Sequence, residues 1–217
     1  MIIDHDNRLY RYKWNHLGVD RYNGAFYYSK EIVKNIIPIV NTDRNWITVN
    51  IKGVGCDHAI VFVHNNLQPE VYEWLKAYDD IVMVCGVPET CDKVKHIGKP
   101  IYLPLSIDTK YVKQFKLPKS ERNGTAFAGR SAKRGIDGVC FPTCDILENM
   151  PRQNLLPYMA RYEYIYAVGR TAIEAKALGC KILPYDPRYP DPSVWKVKDN
   201  KDAAKILQKE LNIIDGI

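Results

Sequence analysis

The segment 164–184 constrains the fold of this chain more than any other. An apolar run leads into a Gly-Arg-Thr turn, a helical stretch follows until Gly179, and a second apolar run closes the segment. This order predicts a strand, a helix and a second strand, the repeating unit of a parallel sheet. The first N–H groups of a helix have no partner within it. The turn therefore aims them, with Arg170 and the Thr171 hydroxyl, at an anion beyond the strand end.

Glu174 lies near the beginning of the same predicted helix. From there a carboxylate can accept hydrogen bonds from the two hydroxyls of a ribose. A diphosphate and a ribose at one helix end predict a nucleotide ligand. The alternative is that Glu174 is a first-turn carboxylate favoured by the helix dipole, with Arg170 paired to it across one turn.

Three segments of the chain together resemble one enzyme family. Residues 100–108 read PIYLPLSID, residues 127–137 read FAGRSAKRGID, and residues 174–183 read EAKALGCKIL. In this order they resemble the "V-I-P-N-G-I-D", "F-x-G-R…K-G-I-D" and "EA-x-A-x-G-x-P-V-I" segments of GT-B-fold glycosyltransferases. The shared order, over roughly residues 100–186, carries the resemblance.

The resemblance implies an α/β fold of two Rossmann-like lobes, with mostly parallel sheets and a cleft between them. It also implies a hexosyltransferase whose donor is a nucleotide-diphosphate sugar such as a UDP-sugar. Arg130 and Lys133 match the arginine and lysine that hold the diphosphate in the family, and Arg134 is an alternative to Lys133. The glutamate that binds the ribose corresponds to Glu174. The predicted donor site comprises Gly129, Arg130, Lys133, Gly169, Arg170, Thr171 and Glu174.

Two features depart from the family pattern. Many retaining members carry two glutamates separated by seven residues, and the position of the first is occupied here by Tyr166. The chain has 217 residues, whereas typical members are considerably longer. A catalytically silent nucleotide or sugar-nucleotide binding protein, or an epimerase on the same scaffold, is therefore the alternative function.

An inverting transfer needs a base that deprotonates the acceptor hydroxyl. His64 follows an apolar strand, so it is expected at the carboxyl end of that strand, where an imidazole can accept a proton near neutral pH. Asp20 is the second candidate, and Asp4 and Asp6 compete with it. A loop histidine without a catalytic role is the alternative for His64. Neither a metal ion nor a cofactor is expected, because cationic side chains and a helix terminus can neutralise the leaving group.

Short apolar runs alternate with helical stretches from residue 46 onward, which predicts parallel sheets. We expect an acceptor-side lobe at 1–117 and a donor lobe at 118–217, with a polar connection at 111–123. The predicted strands are 46–51, 59–63, 81–85, 101–105, 125–128, 162–168 and 181–185, and the predicted helices are 69–78, 88–97, 155–160, the stretch around Glu174 and 201–211.

The amino-terminal segment 10–28 interleaves aromatic and basic residues, and the formal net charge of the chain is +6. Such a mixture can stack on bases or sugars while attracting phosphates, so DNA with hydroxymethylated bases is a candidate acceptor. The alternative is a core strand followed by a core helix at 25–37.

The sequence composition indicates the cellular compartment and the state of the cysteines. Charged residues interrupt the amino terminus and no window is apolar enough for a membrane span, so we expect a cytoplasmic protein. The six cysteines lack paired spacing and are expected to be free thiols.

Overall fold

A computed structural model describes residues 32–48, 58–63, 79–129, 144–148, 150–184 and 189–217. The architecture is α/β with two parallel sheets, as the sequence predicts. The chain divides into two compact units. Among the described residues, the first unit contains those between 32 and 105 together with 201–217, and the second contains 106–200.

This division differs from the predicted lobes of 1–117 and 118–217 at two places. Residues 106–117 belong to the second unit, because Ile107 pairs with Asp199 and the Ser106 hydroxyl donates to Asn200 Oδ1 at 2.8 Å. Residues 201–217 belong to the first unit, because Gln208 exchanges hydrogen bonds with the backbone of Asn41. Neither contact has a local sequence signal, since the partners are distant along the chain.

The described part of the first sheet has four parallel strands in sequential order. They are β1 (Asn45–Thr48), β2 (His58–Val63), β3 (Asp80–Cys85) and β4 (Lys99–Tyr102). Residues 59–63 and 81–85 are all buried, which is typical of strands in the interior of a parallel sheet. The predicted strands at 59–63 and 81–85 are confirmed. The strand predicted at 101–105 begins earlier and ends at Tyr102.

The described part of the first unit contains two α-helices. Helix α1 (Pro88–Val94) follows β3, carries proline in its first turn and packs against β3 and β4. The carboxyl-terminal helix, Asn200–Asp215, buries a stripe that includes Leu207 and Leu211. This confirms the predicted amphipathic helix and extends it at both ends.

The described strands of the second sheet are β5 (Thr125–Gly129), β6 (Asp145–Glu148), β7 (Tyr164–Tyr166) and β8 (Lys181–Leu183). All pairings are parallel, and the order is β6-β5-β7-β8. Strand β6 was not predicted from the sequence. It is the outermost strand on one side of the described sheet, and Leu147 is its only buried residue. A strand with a single buried residue has no continuous apolar run by which the sequence could reveal it.

Among the described residues, three α-helices accompany the second sheet: α2 (Thr109–Lys113), α3 (Arg152–Met159) and α4 (Gly169–Leu178). Helix α2 corrects the prediction that 111–123 is only a polar connection, since Asp108 caps it by accepting from the Tyr111 N–H at 2.9 Å. Helix α3 begins three residues before the predicted stretch at 155–160. In the numbering used here, the carboxyl-terminal helix Asn200–Asp215 is α5.

Gly179 ends α4 in a left-handed conformation with φ of 94°. The N–H of Gly179 donates to Lys176 O and that of Cys180 to Ala175 O, each at 2.9 Å, which is the Schellman arrangement. The Arg122 guanidinium donates to the Gly179 carbonyl, and a Cβ at Gly179 would lie 2.5 Å from Arg122 Nη1. The predicted glycine stop is therefore confirmed.

Arg44 joins the carboxyl-terminal helix to the first sheet. Its side chain is 8% exposed, and its guanidinium contacts Asp80 of β3 at 2.7 Å and Asp215 of α5 at 2.5 Å. Burial alone lowers the pKa of Arg44, but the hydrogen bonds to Asp215 and Asp80 outweigh that effect and the pKa is raised. The guanidinium thus remains charged between two carboxylates.

We predict that Arg44→Met lowers the free energy of unfolding by about 2–3 kcal/mol, because it leaves two partly buried carboxylates without their shared cation. Urea denaturation followed by circular dichroism measures the change. The matched control is Lys95→Met, since Lys95 is exposed and contacts Asp92 at 3.7 Å. Equal stability of the two variants would contradict the structural role of Arg44.

Candidate functional site

The strand order of the second sheet places a topological switch point at the carboxyl ends of β5 and β7, which we call the crevice. Strand β5 lies between β6 and β7, and the chain leaves β5 toward β6 but leaves β7 toward β8 on the opposite side. Open α/β sheets bind ligands at such a switch point, outside the carboxyl ends of the strands. The described strands of the first sheet follow one another in order and form no such reversal.

Two glycines of the predicted donor site lie at or just after the carboxyl ends of the strands that border the crevice. Gly129 is the last residue of β5, and Gly169 begins α4 three residues after the end of β7. Gly169 has φ of 61°, a left-handed conformation that favours glycine, and a Cβ there would meet no atom within 4 Å. The glycine thus lets the backbone change direction at this point, and the space beside it stays open.

Helix α4 begins at the carboxyl end of β7, and its N-cap residue supplies no side-chain cap. Val168, the N-cap residue, is extended and offers no side-chain acceptor to the first turn. Thr171 lies in that turn and is half-buried. The amino-terminal N–H groups and the positive end of the helix dipole favour an anion in the crevice.

Glu174 and Arg170 are both buried, with exposed fractions of 4% and 8%. Arg170 Nε donates to Glu174 Oε1 at 3.1 Å, across one turn of α4. Glu174 lies in the second turn of the helix, because α4 begins at Gly169. The alternative interpretation of the sequence, in which these two residues pair, describes their arrangement in the structure.

Arg152 completes this cluster and was not found by the sequence analysis. Its Nε donates to Glu174 Oε1 at 2.8 Å, and its guanidinium lies over the Tyr111 ring at 5.2 Å from the centroid. Tyr111 in turn makes an edge contact with Phe115, at a centroid distance of 5.4 Å. Glu174 thus joins α3 to α4, and Tyr111 extends the contact to α2.

A sequence signal for Arg152 was present. It follows Pro151 directly, and proline is frequent where helices begin. Placing the helix start there would have put Arg152 in the first turn of α3, at the same sheet edge as α4. The predicted start at residue 155 left it in a loop instead.

Of the predicted donor-site residues, four are placed in or beside α4: Gly169, Arg170, Thr171 and Glu174. Gly129 ends the neighbouring strand, so it lies at the same edge. Arg130 and Lys133, together with the alternative Arg134, fall outside the described residues. So do the predicted bases His64 and Asp20 with Asp4 and Asp6, the aromatic segment 10–28 and the predicted helix at 69–78.

Tyr166, which stands where the paired-glutamate pattern has its first carboxylate, is the last residue of β7. It is 9% exposed. Burial, followed by the charge of Cys144, raises the pKa of its phenol. The phenol therefore stays protonated, and this position holds no carboxylate.

Comparison with known proteins returns no match, either to a protein-family model or to a curated protein. Across the described ranges, no helix combines the length and apolarity that a membrane crossing requires. Among those same residues, no three His, Cys, Asp or Glu side chains group as metal ligands.

We predict that Glu174→Gln lowers the free energy of unfolding by about 3 kcal/mol, because the substitution removes the negative partner of two largely buried arginines. Chemical denaturation provides the measurement. The matched control is Glu163→Gln, since Glu163 contacts Lys181 at 3.1 Å on the surface. The control is expected to change stability little, and a Glu174 variant as stable as this control would contradict the role of Glu174.

Proposed function

We propose that this chain is a glycosyltransferase that takes its sugar from a nucleotide-diphosphate sugar bound at the crevice of the second unit. One observation carries the proposal: α4 begins at the switch point between β5 and β7, and its N-cap residue Val168 supplies no side-chain cap. The left-handed Gly169 and the amino terminus of α4 suit a diphosphate, whose charges interact with N–H groups and the helix dipole. The resemblance of the three sequence segments supplies the reaction class.

In the proposed reaction, the bond between the anomeric carbon and the diphosphate breaks while the acceptor hydroxyl attacks that carbon. The departing diphosphate gains negative charge. N–H groups and a hydroxyl that are already in position stabilise this charge without reorganisation. We assign this role to the first turn of α4 and to Thr171, with Arg130 and Lys133 as further phosphate ligands.

Arg170 and Glu174 take more specific roles in this proposal than the sequence alone suggests. Arg170 is buried against Glu174, so it contributes positive charge near the first turn of α4 while fixing the geometry of the turn. Glu174 Oε1 accepts from Arg152 and Arg170. An ionised carboxylate has about four positions at which it can accept a hydrogen bond. In the proposed ribose contact, the ribose hydroxyls donate to positions other than the two that accept from the arginines.

The acceptor side of the proposal rests on the first unit and the amino-terminal segment. His64 or Asp20 would remove the proton of the acceptor hydroxyl as the bond to the sugar forms. DNA is the acceptor we favour. Its support is the net charge of +6 and the alternating aromatic and basic residues of segment 10–28.

A second candidate function is a nucleotide-sugar binding protein without transferase activity. The observation in its favour is Tyr166, which puts a protonated phenol where many retaining enzymes have a carboxylate. An epimerase on the same scaffold would likewise bind the donor without an acceptor. Transfer in the presence of an acceptor separates the first proposal from both.

We predict that one class of nucleoside diphosphate raises the melting temperature by several degrees, since a ligand at a hundred times its Kd stabilises the native state by about 2.7 kcal/mol. Differential scanning fluorimetry with UDP, GDP and TDP, alone and as sugar conjugates, tests this. Inorganic phosphate and the free nucleosides serve as ligand controls. Failure of every nucleoside diphosphate at millimolar concentration would refute the donor site.

A matched pair of threonine variants locates the binding. Thr171→Val should weaken nucleoside diphosphate binding by about 1.5 kcal/mol, about tenfold in Kd, because a hydroxyl that donates to a charged phosphate is lost. Thr125→Val is the control, since Thr125 is the first residue of β5 and therefore lies at the end of that strand away from the crevice. Isothermal titration calorimetry measures both. Equal weakening by the two variants would contradict binding at the crevice.

The acceptor proposal has its own test. Binding to duplex DNA should weaken linearly with salt concentration on logarithmic axes, because bound counterions are released. Transfer of radiolabelled sugar is then measured on DNA with and without hydroxymethylated bases. Transfer only to the modified DNA supports the proposal. DNA binding that is undetectable at low salt removes DNA as the acceptor while leaving the donor site intact.

A further inference from the structure

Four lysines repeat at every third residue in the segment that begins with α2 and leads to β5. They are Lys110, Lys113, Lys116 and Lys119, and we call them the lysine ridge. All four are exposed. Over residues 109–122, five cationic residues and one acidic residue give a formal net charge of +4, against +6 for the whole chain. This short segment of the second unit therefore carries most of the net charge.

The backbone places the first three lysines of the ridge in a row. Lys110 and Lys113 are three residues apart on α2, so they are neighbours on the helix surface. Beyond the helix, the N–H groups of residues 114–116 each donate to the carbonyl three residues earlier, at distances of 3.1 to 3.3 Å. In such turns, side chains three apart lie one above the other with a rise of about 6 Å. Lys116 therefore continues the row.

The segment that carries the ridge is fixed at both ends. At its beginning, the Thr109 hydroxyl donates to Asp199 Oδ2 at 2.5 Å. At its end, the Arg122 guanidinium donates to the Gly179 carbonyl, and Val112 between them is fully buried. The lysines thus project from a backbone that is already ordered, so a partner need not order a loop when it binds.

The ridge lysines are not neutralised by neighbouring carboxylates. In the part of the chain that the structure describes, none of the four forms an ion pair, whereas Lys95, Lys99 and Lys181 each contact a carboxylate. A row of unpaired cations produces a local positive potential. A single small anion would contact only one or two of these lysines, so the row is better suited to a linear polyanion.

The apolar residues of the segment narrow the class of polyanion. Within 109–122, a range that the structure describes throughout, no large apolar side chain is exposed. Helices that bind anionic membranes place apolar residues beside their cations, and proteins that bind single strands offer exposed aromatic rings for stacking. Tyr111 and Phe115 are half-buried and contact each other edge to face instead. These features favour a duplex, whose phosphates face outward while its bases are stacked inside.

We propose that the lysine ridge binds the phosphate backbone of duplex nucleic acid without regard to base sequence. Each lysine ammonium replaces counterions at a phosphate, and the release of these counterions drives binding. Contacts of this kind hold a protein on the duplex but do not read the bases. The ridge shares no residue with the crevice or with segment 10–28, so it does not depend on glycosyl transfer.

The test measures binding of a fluorescently labelled DNA duplex by fluorescence anisotropy over a series of salt concentrations, without a nucleotide sugar. We compare the wild-type protein with a triple variant that carries Lys113→Gln, Lys116→Gln and Lys119→Gln. The slope of log affinity against log salt should become shallower by about 0.9 for each lysine removed, about 2.7 in all. Affinity at low salt should fall by at least about tenfold.

The matched control replaces three exposed lysines of the first unit, with the substitutions Lys95→Gln, Lys205→Gln and Lys209→Gln. It changes the net charge by the same amount but should keep the wild-type slope. Circular dichroism verifies that both triple variants are folded. Duplexes with and without hydroxymethylated bases should bind the wild-type protein equally, because the contacts are to phosphates.

Three results would overturn the proposal: equal loss of affinity in the two triple variants, no DNA binding by the wild-type protein at low salt, or a ridge variant that loses binding to phosphatidylserine vesicles rather than to DNA. The ridge and the transferase proposal can fail separately. Binding through the ridge without sugar transfer to DNA would contradict DNA as the acceptor and support the ridge. Sugar transfer to DNA with an unchanged salt slope in the ridge variant would do the reverse.

Discussion

The organisation of the second unit depends on one buried carboxylate. Glu174 accepts from Arg152 of α3 and from Arg170 of α4 through the same oxygen, and Arg152 also stacks on Tyr111 of α2. Three helices are thereby held together around the carboxyl edge of the second sheet. Burying an arginine without a partner is unfavourable, so both arginines are expected to keep their contacts with Glu174. These contacts hold α3 and α4 together and thereby fix the position of the first turn of α4.

The crevice itself arises from topology and one backbone conformation. The reversal of strand order separates the connections after β5 and β7, and the left-handed Gly169 turns the chain directly into α4. The N–H groups of the first turn therefore already point out of the helix end before a ligand binds. Donors that are in place in advance stabilise a developing anion without a cost in reorganisation free energy. Arg170 is buried in this arrangement, and its Nε donates to Glu174 Oε1.

Local sequence patterns predicted the elements with strong apolar runs. The structure agrees with the sequence prediction for strands β2, β3 and β5 and for the glycine that ends α4. A buried strand is visible in the sequence as a continuous apolar run, and a left-handed residue at a helix end is usually glycine. Edge strand β6, with Leu147 as its only buried residue, leaves almost none. Arg152 and the pairing of 201–217 with the first unit depend on contacts between distant residues, which no local pattern contains. For Glu174, the pattern offered both a ligand role and a pairing with Arg170, and the structure shows the pairing.

We propose that the first turn of α4 binds the diphosphate of a nucleotide sugar. Hydrogen–deuterium exchange measured by mass spectrometry tests it most directly, since the N–H groups of residues 169–172 have no intrahelical partners and exchange readily until a ligand accepts from them. We expect a nucleoside diphosphate to slow exchange in peptides covering 169–172 and to leave peptides from α5 unchanged. Unaltered exchange at 169–172 under saturating nucleoside diphosphate would contradict it.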